Sequence, residues 1–199
     1  MVVRWSLLFI ACLSLCGPLA AADRDAPGGS ATVVIEVANT GGIPDRTLRK
    51  AEALTSHIFE KAGINVIWIG VQGTGDDRAK ATLNLILADA LPERLRHSEN
   101  AFGVTDVWEN GSRCDAYIGY GRVQALSSRL QIAPELLLGH VAAHEIGHLL
   151  LGPNAHSQTG IMSPYWYAAE QIRKAERGAL VFSTEEATRM RRAPIVVNK

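Results

Sequence analysis

The hydrophobic and polar positions of this chain predict strands that alternate with helices. Short runs rich in β-branched and aliphatic residues, which are typical of strands, are separated by segments whose apolar positions recur every three or four residues, the period of a helix. Strands that alternate with helices favour an α/β (α+β) fold with one twisted, mostly parallel sheet. The predicted strands are Ala31–Ala38, Ile64–Ile69, Ala81–Ala88, Val104–Trp108 and Asp115–Val123.

Two of the predicted helices differ in character. Pro44–Ala62 is amphipathic and ends at Gly63, a residue that suits a helix end. Pro134–Leu151 begins with a proline at its first position, ends before Gly152-Pro153, and is apolar on nearly every side. We therefore expect this second helix to be buried. The other predictions are a helical turn at Leu91–Arg96 and helices at Ala168–Arg177 and Thr184–Arg192, the last opened by a capping-box signature.

The apolar helix contains the sequence His144-Glu145-Ile146-Gly147-His148. Histidines four residues apart on a helix project from the same face, which is the spacing that two ligands of one zinc ion require. Glu145 lies about 100° further round the helix, where its carboxylate can reach a zinc-activated water as general base. His156, after a chain reversal at Gly152-Pro153-Asn154, is the first plausible third ligand downstream. Gly139 and Gly147 each cost this helix about 1 kcal/mol relative to alanine, so we expect a close approach of a neighbouring element or of the metal site there.

This segment resembles the metzincin superfamily of zinc peptidases, especially its matrixin-like branch. In that pattern, H-E-x-x-H-x-x-G-x-x-H is followed by a tight turn with a methionine beneath the zinc. His156 and Ile161-Met162-Ser163-Pro164 match the third ligand and this Met-turn, although the loop before His156 is two residues longer. The resemblance covers Leu138–Tyr167. It implies a metzincin-like fold: a twisted mixed sheet, a long active-site helix, a Met-turn and a C-terminal helix.

The resemblance implies a zinc-dependent metalloendopeptidase with His144, His148 and His156 as zinc ligands and Glu145 as catalytic base. Met162 is expected to pack under the histidines without binding metal. Tyr165 or Tyr167 could donate a hydrogen bond to the oxyanion, but a place in the pocket wall is the commoner role of such a side chain.

Alternative interpretations of the site remain open. Glu170 could replace His156 as the third ligand, as in thermolysin-like (gluzincin-type) peptidases. The chain could also be a non-catalytic binding domain that uses zinc as a structural staple. A fourth ligand at His140 would close the site, but we predict a buried histidine there; His57 and His97 are predicted on solvated surfaces.

The N-terminal segment predicts export. A positive residue in the first four is followed by the apolar run Trp5–Leu15 and by the small residues Ala20–Ala22, the pattern of a secretory signal peptide. The run is too short to span a membrane, so we expect a secreted or periplasmic chain without a membrane span, cleaved near Ala22. A lipid anchor at Cys16 is the alternative, although Leu15 is bulky for that motif. The prediction is a signal peptide over residues 1–22 and a single catalytic domain over residues 23–199.

Composition narrows the range of partners. Twenty Lys and Arg residues balance twenty Asp and Glu residues, and no basic run of five or more occurs, so no nucleic-acid partner is predicted. We expect a protein or peptide substrate, and we consider a protein inhibitor as a further partner. After removal of the signal peptide only Cys114 would remain, so stability must come from the core and the bound metal; we interpret Cys114 as a structural thiol.

Overall fold

A computed structural model describes residues 31–70, 82–95, 101–107, 114–152, 154–165, 168–193 and 197–198. Its strands are β1 (Ala31–Asn39), β2 (Ile64–Gly70), β3 (Thr82–Ala88), β4 (Gly103–Val107), β5 (Cys114–Gly119) and β6 (Val197–Asn198). Its helices are α1 (Asp45–Lys61), α2 (Tyr120–Leu130), α3 (Pro134–Leu151), α4 (Ala169–Glu176) and α5 (Thr184–Arg191), with a 3-10 turn at Glu93–Leu95. The predicted signal peptide, Cys16, His97 and Tyr167 lie outside the described residues.

The strands form one mixed sheet in the order β2-β1-β3-β5-β4, and β6 pairs with β1. The four strands β2, β1, β3 and β5 are mutually parallel, as predicted. β4 runs antiparallel to β5 at one edge of the sheet, and the short β6 runs antiparallel to the start of β1. The mixed α/β fold, with its long central helix and C-terminal helix, is therefore confirmed.

The core lies between the sheet and the helices α1 and α3. Val33, Ile35 and Val37 of β1 belong to the hydrophobic core that also contains residues of α1 and α3, whereas Val34 between them is buried but lies outside that core. This alternation is the period of two that a strand imposes. α3 is buried along most of its length, as its uniformly apolar sequence predicts. It thereby holds its histidines at fixed positions relative to the sheet.

One predicted strand is wrong in its second half. The predicted segment Asp115–Val123 is a strand only as far as Gly119, and Tyr120–Leu130 is the helix α2, which the sequence analysis missed. α2 buries Tyr120, Val123 and Leu126, which recur at helical spacing and pack against the core. The aromatic and β-branched residues on both sides of Gly119 favour a strand locally, and packing against the core overrides that preference. The other predicted elements are confirmed, with ends that differ by at most two residues.

Gly139 allows α1 and α3 to approach each other closely. A Cβ atom at this position would lie 2.9 Å from Leu54 Cδ2 and 3.0 Å from the carbonyl oxygen of Ala51. The hydroxyl of Thr55 in α1 lies 3.0 Å from the Gly139 carbonyl oxygen and donates a hydrogen bond across the same contact. The close approach predicted for Gly139 is confirmed.

The substitution Gly139→Ala is expected to destabilise the protein. The added methyl group gains about 1 kcal/mol of helix propensity but over-packs the contact with α1 at a cost of about 2–3 kcal/mol, the upper part of the usual range, because the Ala51 carbonyl belongs to the backbone and cannot turn aside. We expect a melting temperature lower by about 2–6 °C in thermal unfolding. Gly70→Ala is the matched control, because a methyl group there meets no described atom within 4 Å. An unchanged melting temperature for Gly139→Ala would contradict the packing account.

Among the described residues, no helix is both long enough and apolar enough to cross a membrane.

Candidate metal centre

Three histidine side chains converge at the C-terminal end of α3. His144 and His148 project from adjacent turns of the helix, and His156 comes from the loop that follows it. The Nε2 atom of His148 lies 3.1 Å from Nε2 of His144 and 3.1 Å from Nε2 of His156. In the described parts of the chain, this is the one group of three or more His, Cys, Asp or Glu side chains close enough to share a metal ion.

Hydrogen bonds fix the orientation of two of these rings. His144 Nδ1 lies 2.7 Å from the carbonyl oxygen of Ile161, and His148 Nδ1 lies 3.2 Å from that of Gly152. A carbonyl oxygen can only accept a hydrogen bond, so in each of the two rings Nδ1 must be the protonated nitrogen. The Nε2 atoms of both rings therefore present lone pairs to each other. Carbonyl partners of this kind are usual behind metal-binding histidines, where they set the tautomer and the direction of the ring.

The three histidines fit a zinc ion. Lone pairs 3.1 Å apart with no proton between them repel each other. A cation bound between the two nitrogen atoms would remove this repulsion. Imidazole nitrogens bound to one tetrahedral zinc at about 2.0–2.1 Å lie about 3.4 Å from each other, close to the separation here. Three imidazole side chains also match the donor set of one class of catalytic zinc site.

Burial keeps two of the histidines in the neutral form that a metal would require. His144 and His148 are buried, whereas His156 is exposed. Desolvation lowers the pKa of His144 to about 4, and it also lowers the pKa of His148. Both rings therefore remain unprotonated at neutral pH.

The predicted Met-turn packs against α3 next to this group. Met162 is fully buried, and its Sδ atom lies 2.5 Å from the place that a Cβ atom of residue 147 would occupy. Glycine at position 147 thus lets the turn lie against α3 beside His148. Ile161, the residue before Met162, supplies the carbonyl oxygen that accepts a hydrogen bond from His144, so the turn also orients the His144 ring. The close approach predicted for Gly147 is confirmed.

Glu145 is buried on the side of α3 that faces β4. Its side chain is 6% exposed, and its carboxylate lies against the backbone of Gly103. Burial raises the pKa of the Glu145 carboxyl group to about 8. At neutral pH the carboxyl group of the metal-free protein is therefore mostly protonated, and a cation held by the neighbouring histidines would favour the ionised form that a general base requires.

The other candidate residues lie outside this group. His140 is buried, as predicted; its Nδ1 lies 2.8 Å from the Leu136 carbonyl oxygen, and burial lowers its pKa. Glu170 is exposed on α4, with its carboxylate 3.1 Å from the Lys174 ammonium. Tyr165, just after the Met-turn, is 67% exposed. His57 is half-exposed on α1, in agreement with its predicted surface position.

Three contributors to the site were missed by the sequence analysis. Two are the backbone carbonyl groups of Ile161 and Gly152. Every residue has such a group, so the sequence does not indicate which ones contact the histidines. The third is Gly103 at the start of β4. A lone glycine at the edge of a strand pattern is a known sign of close backbone approach, and the predicted strand began one residue after it.

A cavity of about 470 Å³ adjoins the third histidine. It opens between the loop that follows α3 and the first turn of α5. Its lining is mainly polar and includes His156, Ser157, Glu185 and Arg189.

Comparisons with known proteins do not identify a family for this chain. No protein-family model matches the chain, and no curated protein matches its sequence. Among solved structures, the chain is similar to the crystal structure of metalloproteinase-II from Bacteroides fragilis, with a TM-score of 0.46 and 14% sequence identity over 81% of this chain and 52% of that one. The chain thus spans about half the length of that protein. Any account of function must rest on the residues of the site itself.

Metal binding is expected to stabilise the fold. A ligand that binds only the folded state at a thousand times its dissociation constant contributes about 4 kcal/mol. For a chain of this size we expect zinc to raise the melting temperature by about 8–16 °C over the chelator-treated protein. Thermal unfolding with and without zinc measures this shift, and His144→Ala, which lacks one ligand, should lose most of it. An equal rise in both proteins would mean that zinc binds elsewhere.

Proposed function

We propose that the chain is a secreted, zinc-dependent metalloendopeptidase of the metzincin type, with a matrixin-like site. His144, His148 and His156 are the proposed ligands and Glu145 is the proposed general base. One observation carries the proposal: the Nε2 atom of His148 lies at about the spacing of zinc ligands from the Nε2 atoms of both other histidines, and a buried carboxylate follows the first histidine in sequence. Zinc-dependent peptide hydrolysis uses both parts, a metal site and a general base.

The donor count supports a catalytic rather than a structural site. Structural zinc sites are closed by four protein ligands, whereas catalytic ones use three and keep one position open. In the described residues the group contains three donors, and His140 is not among them. The exposure of His156 and the cavity beside it also give a substrate access to this side of the site.

The proposed mechanism assigns roles to residues of the chain. When bound, zinc supplies a Lewis acid that acidifies water and stabilises negative charge on oxygen. Glu145 takes a proton from the attacking water as its oxygen adds to the peptide carbonyl carbon. Glu145 then delivers that proton to the leaving amine nitrogen as the C–N bond breaks. Burial of Glu145 supports the first of these steps, because a desolvated carboxylate takes up a proton more readily than a solvated one.

The proposed setting is extracellular or periplasmic. The sequence pattern over residues 1–22 supports export, and the balance of charges gives no support to a nucleic-acid partner. We therefore propose a protein or peptide substrate, with a protein inhibitor as a candidate restraint on activity. Export followed by N-terminal sequencing tests the predicted cleavage, which would leave Asp23 as the first residue.

Peptide cleavage is the direct test of the proposed function. The exported protein, loaded with zinc, is incubated with a diverse peptide pool, and the products are identified by mass spectrometry beside a chelator-stripped sample. We expect cleavage by the zinc-loaded protein alone, at positions that report its preferences. Tight zinc binding without cleavage of any peptide would favour a non-catalytic domain in which zinc is a structural staple.

A further inference from the structure

The start of β4 lies directly against the Glu145 side chain. A Cβ atom at Gly103 would lie 2.5 Å from both Cγ and Cδ of Glu145, and closer still to Oε1. Carbon atoms that are not bonded pack at about 3.5–4.0 Å, so no side chain fits between this strand and the carboxylate. Even one methyl group at position 103 requires the Glu145 carboxylate to move.

The backbone conformation at this position does not itself require glycine. Gly103 is not among the described glycines with positive φ, and it pairs with Ile118 in the ordinary antiparallel ladder between β4 and β5. Any L-residue could adopt this conformation. The reason for glycine is therefore the contact with Glu145 and not the shape of the chain.

The strand has little freedom to retreat from a larger residue. The amide of Gly119 donates a hydrogen bond of 2.9 Å to the carbonyl oxygen of Phe102, next to Gly103. Further along β4, Asp106 accepts a hydrogen bond of 3.0 Å from Arg94. Ile118, opposite Gly103, is fully buried. A side chain at position 103 would therefore displace Glu145 more readily than it would displace the strand.

We propose that Gly103 is a positioning residue for Glu145: its missing side chain lets the β4 backbone cover the carboxylate and hold it in place. This inference rests on the proposed function only in giving Glu145 the role of base. The contact itself is independent of that role. The two can therefore be tested separately, with one measurement on the metal-free protein and another on the zinc-loaded protein.

The first test is a mutant cycle on the metal-free protein. Gly103→Ala is made in the wild type, in Glu145→Gln and in Glu145→Ala, and each protein is melted thermally. Glutamine has the same size as glutamate, so the collision persists and we expect a melting temperature about 5 °C lower in both of these backgrounds. In Glu145→Ala the colliding atoms are gone, and the loss should nearly vanish.

The outcomes of the cycle are distinct. An equal loss in all three backgrounds would overturn the proposed contact, and so would the absence of any loss in the wild type. A Gly103→Ala protein that folds only together with Glu145→Ala would support it. Gly70→Ala controls for the substitution itself at the other edge of the sheet, where a methyl group meets no described atom within 4 Å.

The second test separates positioning from stability. Zinc-loaded Gly103→Ala is assayed, below its melting temperature, on a peptide that the wild type cleaves. We expect kcat to fall about 100-fold, the typical effect of a misplacement of about 1 Å, with KM and zinc content unchanged. A wild-type kcat would overturn the positioning role. Failure of the wild type to cleave any peptide would instead remove the proposed function and leave the mutant cycle as the test of the contact.

Discussion

Replacement of Glu145 by glutamine is expected to slow peptide cleavage by about three orders of magnitude while leaving the metal in place. Glutamine preserves the size of the side chain and its packing against β4, but its amide cannot accept a proton from water. General base catalysis contributes about 10²–10⁴-fold, so we expect kcat to fall by about 10³-fold. Steady-state kinetics on a peptide identified from the pool measures this loss.

Metal content is the control for this substitution. Glu145 is not a member of the histidine group, so Glu145→Gln should bind as much zinc as the wild type. The melting temperature with zinc should also change little, because no atom is added to the buried site. Cleavage at the wild-type rate by Glu145→Gln would show that another group removes the proton, and the proposed role of Glu145 would be wrong.

Removal of the third histidine is expected to release the metal. Loss of a partner that only orients a ligand lowers metal affinity by about 10–100-fold, so loss of a ligand should lower it by more than about 100-fold. We therefore expect the zinc dissociation constant of His156→Ala to rise by at least that factor. Competition with a chromogenic chelator of known affinity measures the constant.

Glu170→Gln is the matched variant for this measurement, because Glu170 is the alternative third ligand. Its carboxylate lies on the exposed face of α4 in an ion pair with Lys174, and it is not a member of the histidine group. We expect Glu170→Gln to bind zinc with unchanged affinity. Unchanged tight binding by His156→Ala, with a loss in Glu170→Gln, would replace our assignment with a thermolysin-like site.

The sequence predicts the elements whose signals are local. The ends of α3 were predicted at Pro134 and Leu151, because a proline at the first position and a glycine after the last mark them. The close contacts at Gly139 and Gly147 were also predicted, because glycine inside a helix is costly unless it makes room for a neighbour. These signals need no knowledge of the rest of the fold.

The features that the sequence does not predict depend on contacts between distant parts of the chain. α2 follows β5 without a break, so the aromatic and β-branched residues around Gly119 extend the strand pattern past the true start of the helix, although Tyr120, Val123 and Leu126 recur at helical spacing. The short β6 exists through its pairing with Ala31 and Thr32 at the other end of the chain. At the site, the histidine spacing identifies the donors. The carbonyl of Ile161 and the contact at Gly103 appear only once the Met-turn and β4 are placed beside α3.

The most direct measurement of the central claim is a zinc titration of the metal-free protein, with the cleavage rate of one peptide as the readout. If the three histidines form a single catalytic zinc site, the rate rises in proportion to added zinc and reaches a plateau at one equivalent per chain. Cleavage that does not depend on zinc would contradict the account. So would a chain that binds one equivalent of zinc tightly and cleaves nothing.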